Sequence, residues 1–199
     1  MIHVEKIKIV NNSYPSNEIE EGFEIICSDV NLLVGNQGCG KSTLLKLMQL
    51  NHDDIELTLS EYVLTVGVDT FYFDTERDNP RVKDPVLYTK PNGDNIGIGY
   101  GGAIRSRFQS HGEVLQSFVI DPLLNAKDCV ILLDEPESGL SITNQFRLME
   151  AINVAVGNNC QLFIATHCYP IIERFNVISL EHLEQMSGVE FIKRIQNEN

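Results

Sequence analysis

One stretch constrains this chain more than any other. Read as a fully apolar stretch of the sheet interior, Val30 to Val34 leads into Gly35-Asn36-Gln37-Gly38-Cys39-Gly40-Lys41-Ser42. From Lys41 to Leu50, Leu44, Leu45, Leu47 and Met48 then recur at helical spacing. An apolar run without alternation suits a strand buried on both faces, so the order is strand, glycine-rich loop, helix. The octapeptide fits Gly-x-x-x-x-Gly-Lys-Ser/Thr in full and in the structural context that this pattern requires. Its glycines let the backbone curl so that successive N–H groups point inward, and the following helix adds its positive dipole end; both favour a polyphosphate. Residues 36–43, from Asn36 through Gln37, Gly38, Cys39, Gly40, Lys41 and Ser42 to Thr43, are therefore the candidate phosphate-binding set. Lys41 is expected to neutralise phosphate charge, and the Ser42 hydroxyl to serve as a Mg²⁺ ligand.

The remaining composition narrows the partners. With 199 residues the chain accommodates one α/β domain. Hydrophobic and charged fractions of 43% and 22% predict a packed core, and no apolar run approaches the length of a membrane helix. The start Met1-Ile2-His3-Val4-Glu5 is not a signal peptide, so a cytoplasmic location is expected. Five cysteines, odd in number and without a Cys-x-x-Cys pair, predict reduced and mostly buried thiols. A formal charge of −13 does not support nucleic-acid binding by the surface as a whole; Arg77, Arg81, Lys83, Arg105 and Arg107 could form a local basic groove, though a solvated scatter of charge is the commoner explanation.

Along the chain, His3 to Val10 alternates loosely as a strand, and Phe23 to Ile26 forms a short second one. Short β-like stretches follow to Thr70–Asp74, and residues 75–102 are turn-rich. Glu113 to Leu124 reads as a helix, Cys129 to Leu133 as a buried strand, and Ile142 to Val156 as an amphipathic helix with Ile142, Phe146, Met149 and Ile152 on its inner face. Gly157 is the expected left-handed stop of that helix. A strand at Gln161–Thr166, a short helix at Tyr169–Arg174 and a strand at Val177–Leu180 complete the pattern.

The apolar strand from Val130 ends in Asp134 and Glu135, and in a parallel sheet the C-terminal strand ends face the ligand. Asp134 is thus expected to hold Mg²⁺, and Glu135 to accept a proton from an attacking water. Two acids after a strand could also simply cap the next turn. His167 follows another apolar strand to the same sheet edge, where it could hydrogen-bond a γ-phosphate.

In order and spacing, the phosphate loop, Leu132-Leu133-Asp134-Glu135-Pro136-Glu137-Ser138-Gly139-Leu140-Ser141 and Thr166-His167 resemble the ABC-type ATPases over most of the chain. Ser110-His111-Gly112-Glu113 stands where that family carries its signature motif. With Phe73-Asp74-Thr75-Glu76 it resembles a subgroup of small stand-alone ATPases. The resemblance implies an α/β P-loop NTPase fold in one domain over residues 1–199. It would have a mostly parallel core sheet, an antiparallel N-terminal β part and a small helical signature subdomain near residues 83–125. It implies ATP and Mg²⁺ as ligands and an ATP-dependent head-to-tail homodimer, with Glu135, His167 and Lys41 catalytic. It also implies Ser110 and Gly112 of one copy on the γ-phosphate held by the other. Tyr14, 21 residues before Gly35, stands near the place of an adenine-stacking aromatic. A loop tyrosine anchored in the core is the alternative for Tyr14, and an ordinary capping box for Ser110 to Glu113.

Three departures set the chain apart from transporters: the signature is not Leu-Ser-Gly-Gly-Gln, the Gln-loop glutamine is absent near Asp74 to Glu76, and the last D-loop position, usually aspartate, is Ser141. A switch or motor driven by ATP hydrolysis and acting on a partner protein is the first functional expectation. The second is a non-catalytic ATP-dependent module regulating a separate effector such as a nuclease. A P-loop kinase or GTPase is disfavoured because no Asn-Lys-x-Asp motif occurs.

Overall fold

The structure, a computed structural model, describes residues 3–13, 19–61, 63, 69–74, 88–89, 95–96 and 119–198. Tyr14, Arg77, Arg81, Lys83, Arg105, Arg107, Ser110, Gly112 and most of the expected signature region lie outside the described residues.

Strand β1 (Val4–Ile9) pairs antiparallel with β2 (Glu24–Ile26) on one side and β4 (Ile55–Leu59) on the other. The loose alternation of this segment has a physical cause. A register shift between Val4 and Lys6 moves the buried face, so that Val4, Ile7 and Ile9 all point inward.

Among the described residues six strands make the main sheet: β3 (Val30–Val34), β5 (Asp69–Asp74), β8 (Cys129–Asp134), β9 (Gln161–Ala165), β10 (Asn176–Ser179) and β11 (Glu184–Ser187). Their order is β11-β10-β3-β9-β8-β5, parallel throughout except for β11, which returns antiparallel to β10. A separate short pair joins β6 (Tyr88–Thr89) to β7 (Asn95–Ile96). The run Val30 to Val34 is not wholly apolar. Asn31 is buried, and its amide donates to the carbonyls of Ser28 (2.7 Å) and Leu162 (3.1 Å).

Side chains alternate across the sheet into two cores. Leu33, Leu132, Phe163 and Ile178 join helix α1 (Lys41–Leu50), through Leu44, Leu45, Leu47 and Met48, and the three-stranded sheet through Ile7, Ile9 and Ile25. Leu32, Ile131, Leu133 and Ile164 face the other way. There they meet α3 (Ile142–Gly157), α4 (Tyr169–Ile172), α5 (Gly188–Glu198) and the buried Leu123 of α2 (Asp121–Asn125). Connections from β3 and from β8 therefore leave toward opposite faces, which opens a crevice at the carboxyl ends of the strands.

Two expectations about α3 are corrected. Ile142 is 72% exposed and Phe146 49%, while Leu148, Met149, Ala151, Ile152 and Ala155 make the buried stripe. At about 100° per residue, that stripe centres roughly 110° from Ile142 and 150° from Phe146. Nor is Gly157 a left-handed stop: it is the last helical residue. Asn158 follows at φ −90°, and the left-handed residue is Asn159 at φ 67°.

Gln161 ties the two sheets together. Its buried Oε1 accepts the N–H groups of His3 (3.0 Å) and Val4 (2.7 Å), and its Nε2 donates to the carbonyls of Val4 and Ser28, both at 2.9 Å. All five thiols are free, with Cys27, Cys160 and Cys168 buried and Cys39 and Cys129 partly so.

Candidate functional site

The crevice collects what the sequence had spread over 130 residues. The loop after β3 curls through positive φ at Gly35, Gly38 and Gly40, and Gly40 is the N-cap of α1. Asn36, Gln37 and Gly38 are exposed, Cys39, Ser42 and Thr43 half-buried, and Lys41 buried. Lys41 Nζ donates to the loop's own carbonyls, Gly35 O at 3.0 Å and Asn36 O at 2.9 Å. The buried ammonium is thereby satisfied inside the turn.

Asp134 ends β8 beneath this loop. Ser42 Oγ donates to its Oδ1 at 2.9 Å, and the buried Tyr72 hydroxyl lies 3.5 Å from its Oδ2. Burial pushes the Asp134 carboxyl up to about 6. The Ser42 hydrogen bond pulls it back, the charge of Asp74 raises it, Lys46 lowers it and Glu135 raises it. Asp74 acts at this range because it stands opposite Asp134 in the register of β5 with β8.

Glu135 takes a left-handed conformation, φ 49°, uncommon for a residue with a side chain, and its N–H bonds to Ala165 O at 2.9 Å. The turn leaves its Oε1 3.7 Å from His167 Nε2, with both side chains about half-exposed. The end of β9 is held to the β8 turn by a residue that sequence reasoning quoted only within a motif. Glu137 Oε1 accepts from Thr166 Oγ1 at 2.6 Å and from the His167 N–H at 2.9 Å. Ser141, the departure at the D-loop position, caps α3: its Oγ accepts the Asn144 N–H at 3.4 Å.

Two residues at the site carry no local signal in the sequence, Tyr72 and Glu181, whose carboxylate accepts from Asn36; strand pairing brings each of them there. The expected pair Asp134 and Glu135 does more than cap a turn, since Asp134 meets Ser42 across 92 residues. The roles expected for Tyr14, Ser110 and Gly112 fall outside the described residues.

Chemically, the site combines inward-curled backbone, a buried ammonium, a hydroxyl–carboxylate pair of hard oxygen donors, and an open Glu–His pair. Such a set can bind a polyphosphate with a hard divalent cation and move a proton beside it. No helix among the described residues is long and apolar enough to cross a membrane.

No family model matches the sequence, and no curated protein is significantly similar to it. Solved structures do share its architecture. An ATP-binding subunit of an ABC transporter matches with a TM-score of 0.59 at 15% identity, over 97% of this chain and 93% of that one. A bacterial Atm1-family ABC exporter with ATP bound matches with 0.59 at 17% identity, over 98% of this chain; the chain spans 41% of the exporter's length. A metal-chelate-type ABC transporter in an inward-facing conformation matches with 0.57 at 17% identity, over 92% of this chain and 82% of that one. The chain thus has the fold of ABC-type ATP-binding domains.

Proposed function

We propose that this protein binds ATP with Mg²⁺ and hydrolyses it as a head-to-tail dimer that acts as a switch on a partner protein. The observation that carries this is the 2.9 Å bond between Ser42 Oγ and Asp134 Oδ1 directly below the Gly35–Ser42 turn. Mg²⁺ fits there: the donors are hard oxygens, and a divalent charge would offset the burial that disfavours the Asp134 carboxylate. Ser42 and Asp134 would hold the ion, which would supply positive charge against the charge that develops during transfer. Lys41, held by the Gly35 and Asn36 carbonyls, neutralises phosphate charge from within the turn. Glu135 orients the attacking water and takes its proton, and His167 donates to the γ-phosphate. Ser110 and Gly112 of the second copy complete the site, Tyr14 stacks on the base, and residues 83–125 form the signature subdomain. Closure occurs because these contacts exist only with ATP in place.

Calorimetry with ATP, with and without Mg²⁺, tests the reading, together with light scattering of the Glu135→Gln form. Magnesium-dependent uptake and a Glu135→Gln dimer trapped by ATP support it. Folded protein that takes up no ATP refutes it. ATP uptake with equal, negligible turnover in both forms replaces it with the non-catalytic module that regulates an effector.

A further inference from the structure

The phosphate loop is also fastened from the C-terminal side of the chain. Strand β10 runs parallel to β3 as far as Ser179 opposite Val34, and the Leu180 N–H bonds to Val34 O at 3.0 Å. The next residue, Glu181, therefore arrives beside the turn. Its Oε2 accepts the Asn36 backbone N–H at 3.3 Å, and its Oε1 accepts Asn36 Nδ2 at 2.6 Å. A Cβ on Gly35 would be strained at φ 136° and would lie 2.8 Å from Cys39 Sγ, with Glu181 in ordinary contact at 3.4 Å. Only glycine fits.

The Asn36 N–H belongs to the Gly35–Asn36 peptide, whose carbonyl, Gly35 O, accepts Lys41 Nζ at 3.0 Å. A carboxylate on the N–H side and an ammonium on the C=O side of one peptide polarise it in the same sense, so each bond strengthens the other. Asn36 repeats the link, donating through its side chain to Glu181 and accepting from Lys41 through its own carbonyl at 2.9 Å. The support behind Glu181 is stiff. Ser179 Oγ and His182 Nδ1 lie 2.9 Å apart across the turn, and Gln185 exchanges hydrogen bonds of 2.9 and 2.7 Å with the backbone of Ile26.

We propose that Glu181 is a positioning residue for the ATP site: it fixes the Gly35–Asn36 peptide, and through it the Lys41 ammonium, so that the loop is ordered before nucleotide arrives. This rests on the ATP reading of the site. Its effect falls on affinity rather than on turnover, because the peptide it holds sets the shape of the turn and the place of the Lys41 ammonium and does not touch the attacking water.

The test compares Glu181→Ala and Glu181→Gln in the whole protein. Because Glu181 is exposed, both variants keep the fold. The readouts are Kd for ATP with Mg²⁺ by calorimetry, steady-state KM and kcat, and hydrogen exchange of the Asn36 amide without nucleotide. Glu181→Ala should raise Kd and KM about five- to tenfold, as for loss of one or two exposed charge-assisted bonds, leave kcat within about twofold, and speed Asn36 exchange. Glu181→Gln keeps one acceptor oxygen for Asn36 but loses the charge and the second acceptor, so it should fall between the parent and Glu181→Ala in every readout. Unchanged or tighter binding by Glu181→Ala overturns the proposal, as does a fall in kcat matching the rise in KM, or a Gln form as weak as the Ala form. If the parent itself takes up no ATP, the ATP reading fails, while Asn36 exchange still decides whether Glu181 orders the loop.

Discussion

Asp134 trades stability for readiness. Burial holds its carboxyl near about 6 against an ordinary 3.8. The nucleotide-free fold therefore binds this proton more tightly than the unfolded chain does. Its stabilising contribution is complete below about pH 3.8 and is lost as pH rises through about 6. At about pH 7.5 the ionised carboxylate costs the fold about 3 kcal/mol, and at about pH 5.3 about 2 kcal/mol. Asp134→Asn removes the charge while its amide oxygen can still accept from Ser42 Oγ. Without nucleotide and in chelator, the variant should be more stable than the parent by about 2–3 kcal/mol at about pH 7.5, a rise in Tm of roughly 4–10 °C for a chain of this size. The gap should narrow by about 1 kcal/mol on going to about pH 5.3 and stay flat above about pH 7. Urea titrations followed by circular dichroism at several pH values measure it. With ATP and Mg²⁺ at about a thousandfold excess over Kd, the proposed function predicts that the order inverts, because only the parent gains ligand stabilisation, about 4.1 kcal/mol. A variant less stable than the parent at neutral pH, or a gap independent of pH, would falsify the assignment of a desolvated carboxylate beneath the loop.

Other residues make separate claims. Glu137→Ala frees Thr166 and the His167 N–H, and should lower kcat by about tenfold or more with KM nearly unchanged, whereas Glu137→Gln should retain most activity; equal losses in kcat and KM would contradict it. Gln161→Leu leaves the N–H groups of His3 and Val4 buried without their acceptor, at about 2–4 kcal/mol in urea melts; a loss below about 0.5 kcal/mol would show that the two sheets do not depend on it. Ile142→Ser and Phe146→Ser should each change stability by no more than about 0.5 kcal/mol, against about 2–4 kcal/mol for Met149→Ala. A large loss at Ile142 would place it back in the core.

What could be read directly from the chain was local. Three buried strands, the glycine turn, the helix after it and the acids closing β8 are each specified within about ten residues. Hydrophobic period and glycine conformational freedom act over that range. The antiparallel N-terminal strands and the parallel core sheet followed from the same patterns together with the family resemblance. Where two local solutions competed, sequence could not choose. Ile142 and Phe146 define one helix face, Leu148, Ala151, Ile152 and Ala155 another, and packing against the sheet selected the second. The bulge in β1 likewise arises from its register against β4.

The sequence by itself determined which groups could meet a polyphosphate, because backbone curl and side-chain type are properties of neighbours along the chain. Tertiary structure alone decided how those groups are held. Ser42 on Asp134, Asp74 opposite Asp134, Glu137 under His167 and Glu181 behind Asn36 join residues 30 to 145 positions apart. Such contacts depend on strand order and register, which emerge only when two cores close on the same sheet.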